Sequence, residues 1–135
     1  MEVPREQVCV LIPTLNEEPT IGPLIQKFHN AGYYDILVID GNSTDNTRDK
    51  AYQAGAKVII QKGKGKGAAF IQAIEQISKP YVILIDGDNT YDPADADALV
   101  LPLLSGYDQT LGNRLIPSNH VSFNRLNLTG NRILN

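Results

Sequence analysis

The sequence has one cysteine, no tryptophan and no apolar stretch that could cross a membrane. Cys9 cannot form a disulfide within the chain, and a single thiol inside an apolar run indicates a buried, inert residue in a reducing compartment. A membrane-spanning helix needs about 18 to 20 apolar residues, and no run approaches that length. Positive charge is also scarce, because 12 Lys and Arg stand against 15 Asp and Glu. The net charge of −3 and the pI near 5.2 argue against a nucleic-acid partner.

The 135 residues, of which 42% are hydrophobic, are enough for one domain with a substantial core. The first seven residues are charged and contain Pro4, unlike a secretory signal peptide. We therefore expect a cytoplasmic protein.

Short apolar runs alternate with stretches of helical pattern along the chain. Pro13 is predicted to end the first strand, Asn16 to cap the first helix, and Ser43 or Thr44 to cap the second. The predicted strands cover residues 8–12, 36–39, 57–61, 81–85 and 108–111. The predicted helices cover residues 17–30, 67–77 and 93–104, and a further helix follows the turn at 41–45 and runs to about residue 54. This alternation predicts a Rossmann-like α/β sandwich, a mostly parallel sheet with helices on both faces.

The most informative motif is Asp86-Gly87-Asp88, which directly follows a predicted buried strand. Carboxylates at the C-terminal end of a parallel strand lie where open α/β sheets bind ligands. Two acids so close repel each other unless a cation lies between them, and a divalent cation that also binds a phosphate fits that requirement. The alternative is a solvated turn. The motif predicts a metal-dependent site for a phosphorylated substrate.

Two further polar clusters follow the first and second predicted strands, namely Pro13-Thr-Leu-Asn-Glu17 and Asp40-Gly-Asn-Ser-Thr-Asp45. Three polar clusters at one edge of a sheet predict a pocket. Asp40 could accept hydrogen bonds from a base or a ribose, or could only cap the next helix. Glu17 could contact the ligand, or could only favour a helix N-terminus through the dipole.

The segment Gly63-Lys-Gly-Lys-Gly-Ala-Ala69 lacks the Gly-Lys-Ser/Thr of a P-loop. Its match to a dinucleotide fingerprint follows the third predicted strand instead of the first, which weakens the alternative of an NAD-type oxidoreductase. Lys64 or Lys66 could reach a diphosphate, or the loop could simply be solvated.

Arg114 could hold a phosphate through two hydrogen bonds, or could form a surface salt bridge.

In their order and spacing these motifs resemble those of family 2 glycosyltransferases of the GT-A fold, and most of all the polyprenyl (dolichol) phosphate mannose or glucose synthases. The resemblance covers nearly the whole chain, and the segments that carry it are Pro13–Glu17, Asp40–Asp45, Gly65–Ala68, Asp86–Asp88 and Gly112–Arg114. It implies a GT-A nucleotide-diphospho-sugar transferase sandwich, incomplete at the C-terminus. Residues 1–118 would form the donor-binding domain, and the amphipathic residues 119–135 would begin the acceptor half.

The resemblance also implies roles for individual residues. The donor would be a UDP- or GDP-hexose, and Mg²⁺ or Mn²⁺ would be held by Asp86 and Asp88. Arg114 and Arg125 would hold the phosphate of a polyprenyl phosphate acceptor. Asp88 and Arg114 would be catalytic in a transfer that inverts the anomeric carbon. The nucleotide-sugar-binding residues implied are Pro13, Leu15, Glu17, Ile39, Asp40, Lys66, Asp86, Gly87 and Asp88.

The chain departs from the family pattern at two positions and in its length. Gly41 stands where many relatives have a second Asp, and Thr90 stands where the branch often has Gln. Because the family's catalytic domain is longer, we expect missing strands and an exposed sheet edge through which two copies could pair.

The alternative function is a non-catalytic sugar-nucleotide-binding module. A lipid acceptor would place the protein at the cytoplasmic face of a membrane, with residues 119–135 either packing on the domain or lying on the membrane surface.

Overall fold

A computed structural model describes residues 2–110, which belong to two compact units. Residues 4–93 form the unit that contains the sheet. The other unit, residues 2–3 together with 94–110, contains helix α4 (Ala96–Leu104), which follows a 3₁₀ turn at Pro93–Asp95.

Four parallel strands form the sheet, in the order β3-β2-β1-β4. The strands are β1 (Val8–Thr14), β2 (Ile36–Asp40), β3 (Lys57–Ile60) and β4 (Tyr81–Leu84), and the helices between them are α1 (Glu18–Asn30), α2 (Thr47–Gln53) and α3 (Gly65–Ile74). After β3 the chain crosses to the far side of β1, so the direction of winding reverses beside β1. In open α/β sheets, ligands bind beyond the carboxyl ends of the strands at such a reversal.

Alternate side chains of the strands point to opposite faces of the sheet. On one face, strand residues pack against Ala69 and Ala73 of α3 in a core cluster that includes Cys9, Leu11, Leu37 and Ile39. Right-handed crossovers place α1 and α2 on the other face. The fully buried side chains of α1 are those of Ile21, Leu24, Ile25 and Phe28. Each such side chain contributes about 1.5–3 kcal/mol on burial, so the predicted sandwich has a real core.

The lone thiol lies in this core. Cys9 is buried, and its burial raises the pKa of the thiol to about 12, with a smaller contribution from the charge of Asp35. The thiolate is therefore scarce at neutral pH, and Cys9 is the inert residue that the sequence predicts.

The predicted end of the first strand at Pro13 is wrong, because β1 continues through Pro13 to Thr14. Strand β2 pairs with β1 as far as Thr14, whereas β4 pairs with it only as far as Leu11. Pro13 thus lies where β1 has a strand on one side only. A proline, which lacks the N–H donor, is tolerated at such an edge position.

The predicted helix caps are also wrong. Helix α1 is preceded by Glu17 and α2 by Asn46, and neither residue makes a side-chain cap bond. Asn16 has a positive φ of 53° and accepts a hydrogen bond from the backbone N–H of Thr44 instead. Residues 108–110 do not form the predicted fifth strand, and residue 111 lies outside the described residues.

Candidate functional site

The Asp86-Gly87-Asp88 turn follows β4 and packs against the end of β1. A Cβ atom on Gly87 would lie 3.0 Å from Cγ2 of Thr14, 3.4 Å from Cγ of Glu17 and 3.5 Å from Cγ2 of Ile12. The glycine is required because a side chain would push the turn away from β1. The structure thus brings Glu17 and the Asp86-Gly87-Asp88 turn together, as the sequence predicts.

Both aspartates of the turn are held by neighbouring groups. Nζ of Lys66 lies 2.6 Å from Oδ1 of Asp86, in an ion pair whose lysine side chain is 76% exposed and whose aspartate side chain is 30% exposed. Oδ1 of Asp88 accepts hydrogen bonds from the backbone N–H (3.1 Å) and the hydroxyl (2.7 Å) of Thr90. The exposed Asp88 carboxylate therefore has a fixed orientation, which is the Asx geometry considered as the alternative to a metal site.

Helix α1 fixes the backbone of the turn from the other side. The hydroxyl of Thr20 donates to the carbonyl oxygen of Gly87 at 2.7 Å, and Nζ of Lys27 donates to Oδ1 of Asn89 at 3.2 Å. Asn89 itself has a positive φ of 62°. The position of the two carboxylates is thus set by contacts with both β1 and α1.

Glu17 adds a third carboxylate to this region. Burial, followed by the negative charges of Asp88 and Asp86, raises the pKa of Glu17 above its ordinary value. The negative charges of Asp86 and Asp88 thus act on Glu17, and a cation bound to the two aspartates would relieve that repulsion.

Asp40 ends β2 with its side chain fully buried. Its Oδ1 accepts from the hydroxyls of Thr14 (2.9 Å) and Ser43 (2.6 Å), and its Oδ2 accepts from the N–H of Ser43 (2.8 Å) and Nη1 of Arg48 (3.2 Å). This carboxylate fixes the loop that follows β2. A direct contact between Asp40 and a nucleotide stays a prediction.

The loops after β1 and β2 are hydrogen-bonded to each other. The N–H of Asn16 donates to Oγ of Ser43, and the N–H of Glu17 donates to Oγ1 of Thr47, both at 2.8 Å. Glu18 accepts from the N–H of Asn46 and donates its own N–H to Asp45. Asp45 also accepts from the hydroxyl of Thr47, and this bond lowers the pKa of its carboxyl group. Asp45 of the loop after β2 thus accepts the first N–H of α1 as well as that of α2, while Glu18 and Asn16 hold the loop itself.

The remaining predicted contact residues are placed differently. Leu15 is 58% exposed at the site edge and Pro13 is half-buried, whereas the side chain of Ile39 lies in the core cluster and is not available to a ligand. Thr14 and Gln61 were not predicted as site residues, yet both line the region around Gly41. The signal for Gln61 was a polar residue at the last position of a predicted strand. Arg114 and Arg125 lie outside the described residues, as does the segment 119–135.

Among residues 2–110, no group of three or more His, Cys, Asp or Glu side chains is arranged to hold a metal ion. Mg²⁺ is commonly held by one or two carboxylates together with substrate phosphates, and Asp86 with Asp88 provides such a set. The same part of the chain has no helix of the length and apolarity that a bilayer crossing requires.

Comparison with known proteins identifies the family. Residues 9–134 match the family model described as glycosyl transferase family 2. The chain belongs to this family. Glycosyltransferase AglJ of Haloferax volcanii is 46% identical over 131 residues, covering 96% of this chain and 43% of AglJ. The dolichol-phosphate mannosyltransferase of Pyrococcus furiosus is 28% identical over 123 residues, covering 85% of this chain and 35% of that protein.

A solved structure confirms the GT-A sandwich. The crystal structure of glucosyl-3-phosphoglycerate synthase from Mycobacterium tuberculosis, in complex with Mn²⁺, UDP and glucosyl-3-phosphoglycerate, matches 73% of this chain with a TM-score of 0.67 and 32% identity. The match covers 40% of the synthase. This chain therefore spans less than half the length of each of these three relatives.

Proposed function

We propose that this chain is the donor-binding part of an inverting glycosyltransferase that moves a hexose from a nucleoside diphosphate sugar to a polyprenyl phosphate. The observation that carries the proposal is the Asp86-Gly87-Asp88 turn, fixed against β1 and α1 and flanked by Lys66 and Glu17. It lies at the carboxyl end of the sheet, beside the reversal of strand order.

Asp86 and Asp88 are the residues that would hold the divalent cation. Paired carboxylate oxygens suit Mg²⁺ or Mn²⁺, with the diphosphate completing the coordination. When bound, the cation would neutralise the charge that develops on the leaving nucleoside diphosphate. Metal-containing complexes of the Mycobacterium tuberculosis synthase support this assignment.

The chain's own residues would orient the donor. Lys66 would give a positive charge to the diphosphate, on the same side as Asp86. Thr90 and Thr20 would keep Asp88 and the Gly87 carbonyl in place, so that little reorganisation accompanies binding. UDP complexes of the synthase favour UDP over GDP as the nucleotide.

The acceptor would carry a phosphate. The similarity to a dolichol-phosphate mannosyltransferase supports a polyprenyl phosphate, whereas the structurally similar synthase was crystallised with phosphoglyceric acid, which is a different phosphate compound. A phosphate oxygen is already ionised near neutral pH, so the reaction needs no strong general base. Arg114 and Arg125 would hold this group, and a lipid acceptor would bring the protein to the cytoplasmic face of a membrane.

Calorimetric titration of the 135-residue chain with UDP-glucose and GDP-mannose, with and without Mn²⁺, tests the donor site. We expect Mn²⁺-dependent binding that is lost in Asp88→Ala and kept in Asp49→Ala, a change of an exposed aspartate on α2. The absence of binding for both nucleotides under both conditions would refute the donor site.

Transfer of labelled sugar to a polyprenyl phosphate tests the reaction. Product that is absent with Asp88→Ala supports the glycosyltransferase. Donor binding without transfer to the lipid phosphate or to 3-phosphoglycerate supports the alternative, a non-catalytic sugar-nucleotide-binding module.

A further inference from the structure

A shallow surface, here called the base slot, lies over Gly41 between Leu15 and Gln61. A Cβ atom on Gly41 would lie 3.3 Å from the carbonyl oxygen of Thr14, 3.5 Å from Oε1 of Gln61 and 3.8 Å from Cδ1 of Leu15. Gly41 is partly exposed, a side chain there would fill the space between Thr14 and Gln61, and the exposed Leu15 provides an apolar wall. A flat, partly polar ring fits such a surface.

The side chain of Gln61 gives the base slot its polar group. Gln61 is only 8% exposed, and its Nε2 donates to the carbonyl oxygen of Gly65 at 2.8 Å. That bond assigns the two ends of the amide, because only the nitrogen can donate to a carbonyl. Oε1 therefore faces Gly41, and no donor among residues 2–110 is bonded to it. Because no protein donor occupies it and it is not sealed from solvent, this oxygen is able to accept from a ligand.

The base slot and the Asp86-Gly87-Asp88 turn lie on either side of one residue of β1. That residue is Thr14. Its carbonyl oxygen accepts from the N–H of Gly41 at 2.8 Å, and the methyl group of the Thr14 side chain borders Gly87. Strands β2 and β4 flank β1, so their ends are two strand spacings apart, about 10 Å. A ribose and a diphosphate can bridge that separation, with the base at Gly41 and the diphosphate at Asp86 and Asp88.

We propose that Oε1 of Gln61 is the acceptor that reads the nucleobase, and that it selects bases with a ring N–H donor, uracil and guanine, over cytosine and adenine. The proposal rests on the proposed donor-binding function. At the ring nitrogen, uracil presents N3–H, whereas cytosine presents an unprotonated N3 whose lone pair would oppose that of Oε1, and its neighbouring N4 amino group could donate to Oε1 only if the base shifted in the slot. A buried polar group left unpaired by the wrong substrate discriminates more strongly than a missing apolar contact.

The test compares UDP with CDP, which differ at this edge of the base, by calorimetry on the 135-residue chain with Mn²⁺. We expect the wild-type chain to prefer UDP, and Gln61→Leu to weaken UDP binding roughly fivefold to tenfold while leaving CDP binding nearly unchanged. Gln72→Leu is the matched control. Gln72 bonds the backbone of Lys62 and Ile60, so its loss loosens the same loop without removing an acceptor from the slot.

The possible outcomes distinguish failure of the donor site from failure of the role assigned to Gln61. A wild-type chain that binds neither UDP nor GDP refutes the donor site itself. A chain that binds UDP but shows the same ratio of UDP to CDP affinity in Gln61→Leu as in the wild type overturns the role of Gln61 and leaves the donor site standing. If Gln61→Leu loses both nucleotides, Gln61→Glu decides, because it retains an acceptor oxygen. A kept preference for UDP then supports the proposal, and a lost preference overturns it.

Discussion

Nζ of Lys66 lies 2.6 Å from Oδ1 of Asp86, so a cation of the protein itself neutralises one of the two carboxylates proposed to bind metal. The lysine comes from the first turn of α3 and the aspartate from the turn after β4. In the donor complex the same ammonium group would be close to the diphosphate. Lys66 should therefore oppose binding of the metal alone and favour binding of the metal together with the nucleotide.

Replacement of Lys66 by Met should separate these two effects. Without nucleotide, we expect Mn²⁺ affinity to rise about twofold to fivefold, the scale of an exposed ion pair. With Mn²⁺ present, UDP affinity should fall. Mn²⁺ binding followed by electron paramagnetic resonance and UDP binding followed by calorimetry measure the two quantities. Lys64→Met, a change of the exposed lysine just before α3, is the control. A fall in both affinities would show that Lys66 does not compete with the metal.

Replacement of Gly87 by Ala should disturb the metal-binding turn. The added methyl group would meet Thr14, Glu17 and Ile12 at 3.0–3.5 Å. We expect a loss of about 1–3 kcal/mol in the free energy of unfolding, measured with urea, and weaker Mn²⁺ binding. Gly67→Ala in α3 is the control, because a methyl group there meets no atom within 4 Å and should stabilise the helix by up to about 1 kcal/mol. Equal effects of the two substitutions would rule out the close approach as the cause.

Replacement of Asp40 by Asn should destabilise the fold more than a surface change. The amide would direct an N–H₂ group at donors that now meet a carboxylate, and Arg48 would lose its partner. We expect a loss of about 2–4 kcal/mol in urea denaturation. Asp49→Asn, on the exposed side of α2, should stay within about 0.5 kcal/mol of the wild type. If Asn at position 40 costs no more than Asn at position 49, the hydrogen bonds of Asp40 do not stabilise the loop.

The stability of the protein should depend on pH through Glu17. Burial and the charges of Asp88 and Asp86 raise the pKa of this carboxyl above its ordinary value of 4.5. An acid with a higher pKa in the folded state destabilises the fold when ionised, in full above the folded pKa and not at all well below the unfolded one. Glu17→Gln should therefore raise the free energy of unfolding at pH 7, and this gain should shrink as the pH falls from the raised folded pKa towards 4.5 and be absent well below 4.5.

Urea denaturation of wild type and Glu17→Gln at neutral and acidic pH measures this dependence. Glu75→Gln removes an exposed carboxylate at the end of α3 and controls for the change in net charge. A gain that is the same at both pH values would contradict the contribution of Glu17 ionisation.

The elements and the edge at which the polar clusters meet were predictable because they follow from short-range patterns. Apolar strands of four to seven residues, interrupted by Gly and polar residues, specify a parallel sheet, and Asp86 and Asp88 lie at its rim as predicted. The end of β1 was not predictable, because the tolerance for Pro13 depends on where β4 stops pairing. The cap residues were wrong for a similar reason, since Asn16 and Ser43 bond across 27 or 28 positions of sequence instead of within their own helices.

At the candidate site, the role of Gln61 could likewise not be predicted from the sequence. Its position in the sequence marks it as the end of a strand, but its role depends on Gly65 fixing the amide and on Gly41 leaving room for it. Both conditions are three-dimensional. A pattern of residue types indicates which edge of the sheet is chemically active, whereas the role of each residue at that edge is set by contacts between separate loops.

The mutual hydrogen bonding of the loops after β1 and β2 has a consequence for recombination among relatives. The loop after β2 accepts the first N–H of α1 through Asp45, and Asn16 and Glu18 in turn accept N–H groups of that loop, so neither segment can be transplanted alone without leaving unpaired groups in both. The smallest exchangeable block runs from residue 14 to residue 47 and carries β2 with it. Chimeras with a junction inside that block should be poorly folded, and those that exchange it whole should inherit the donor-side loops intact.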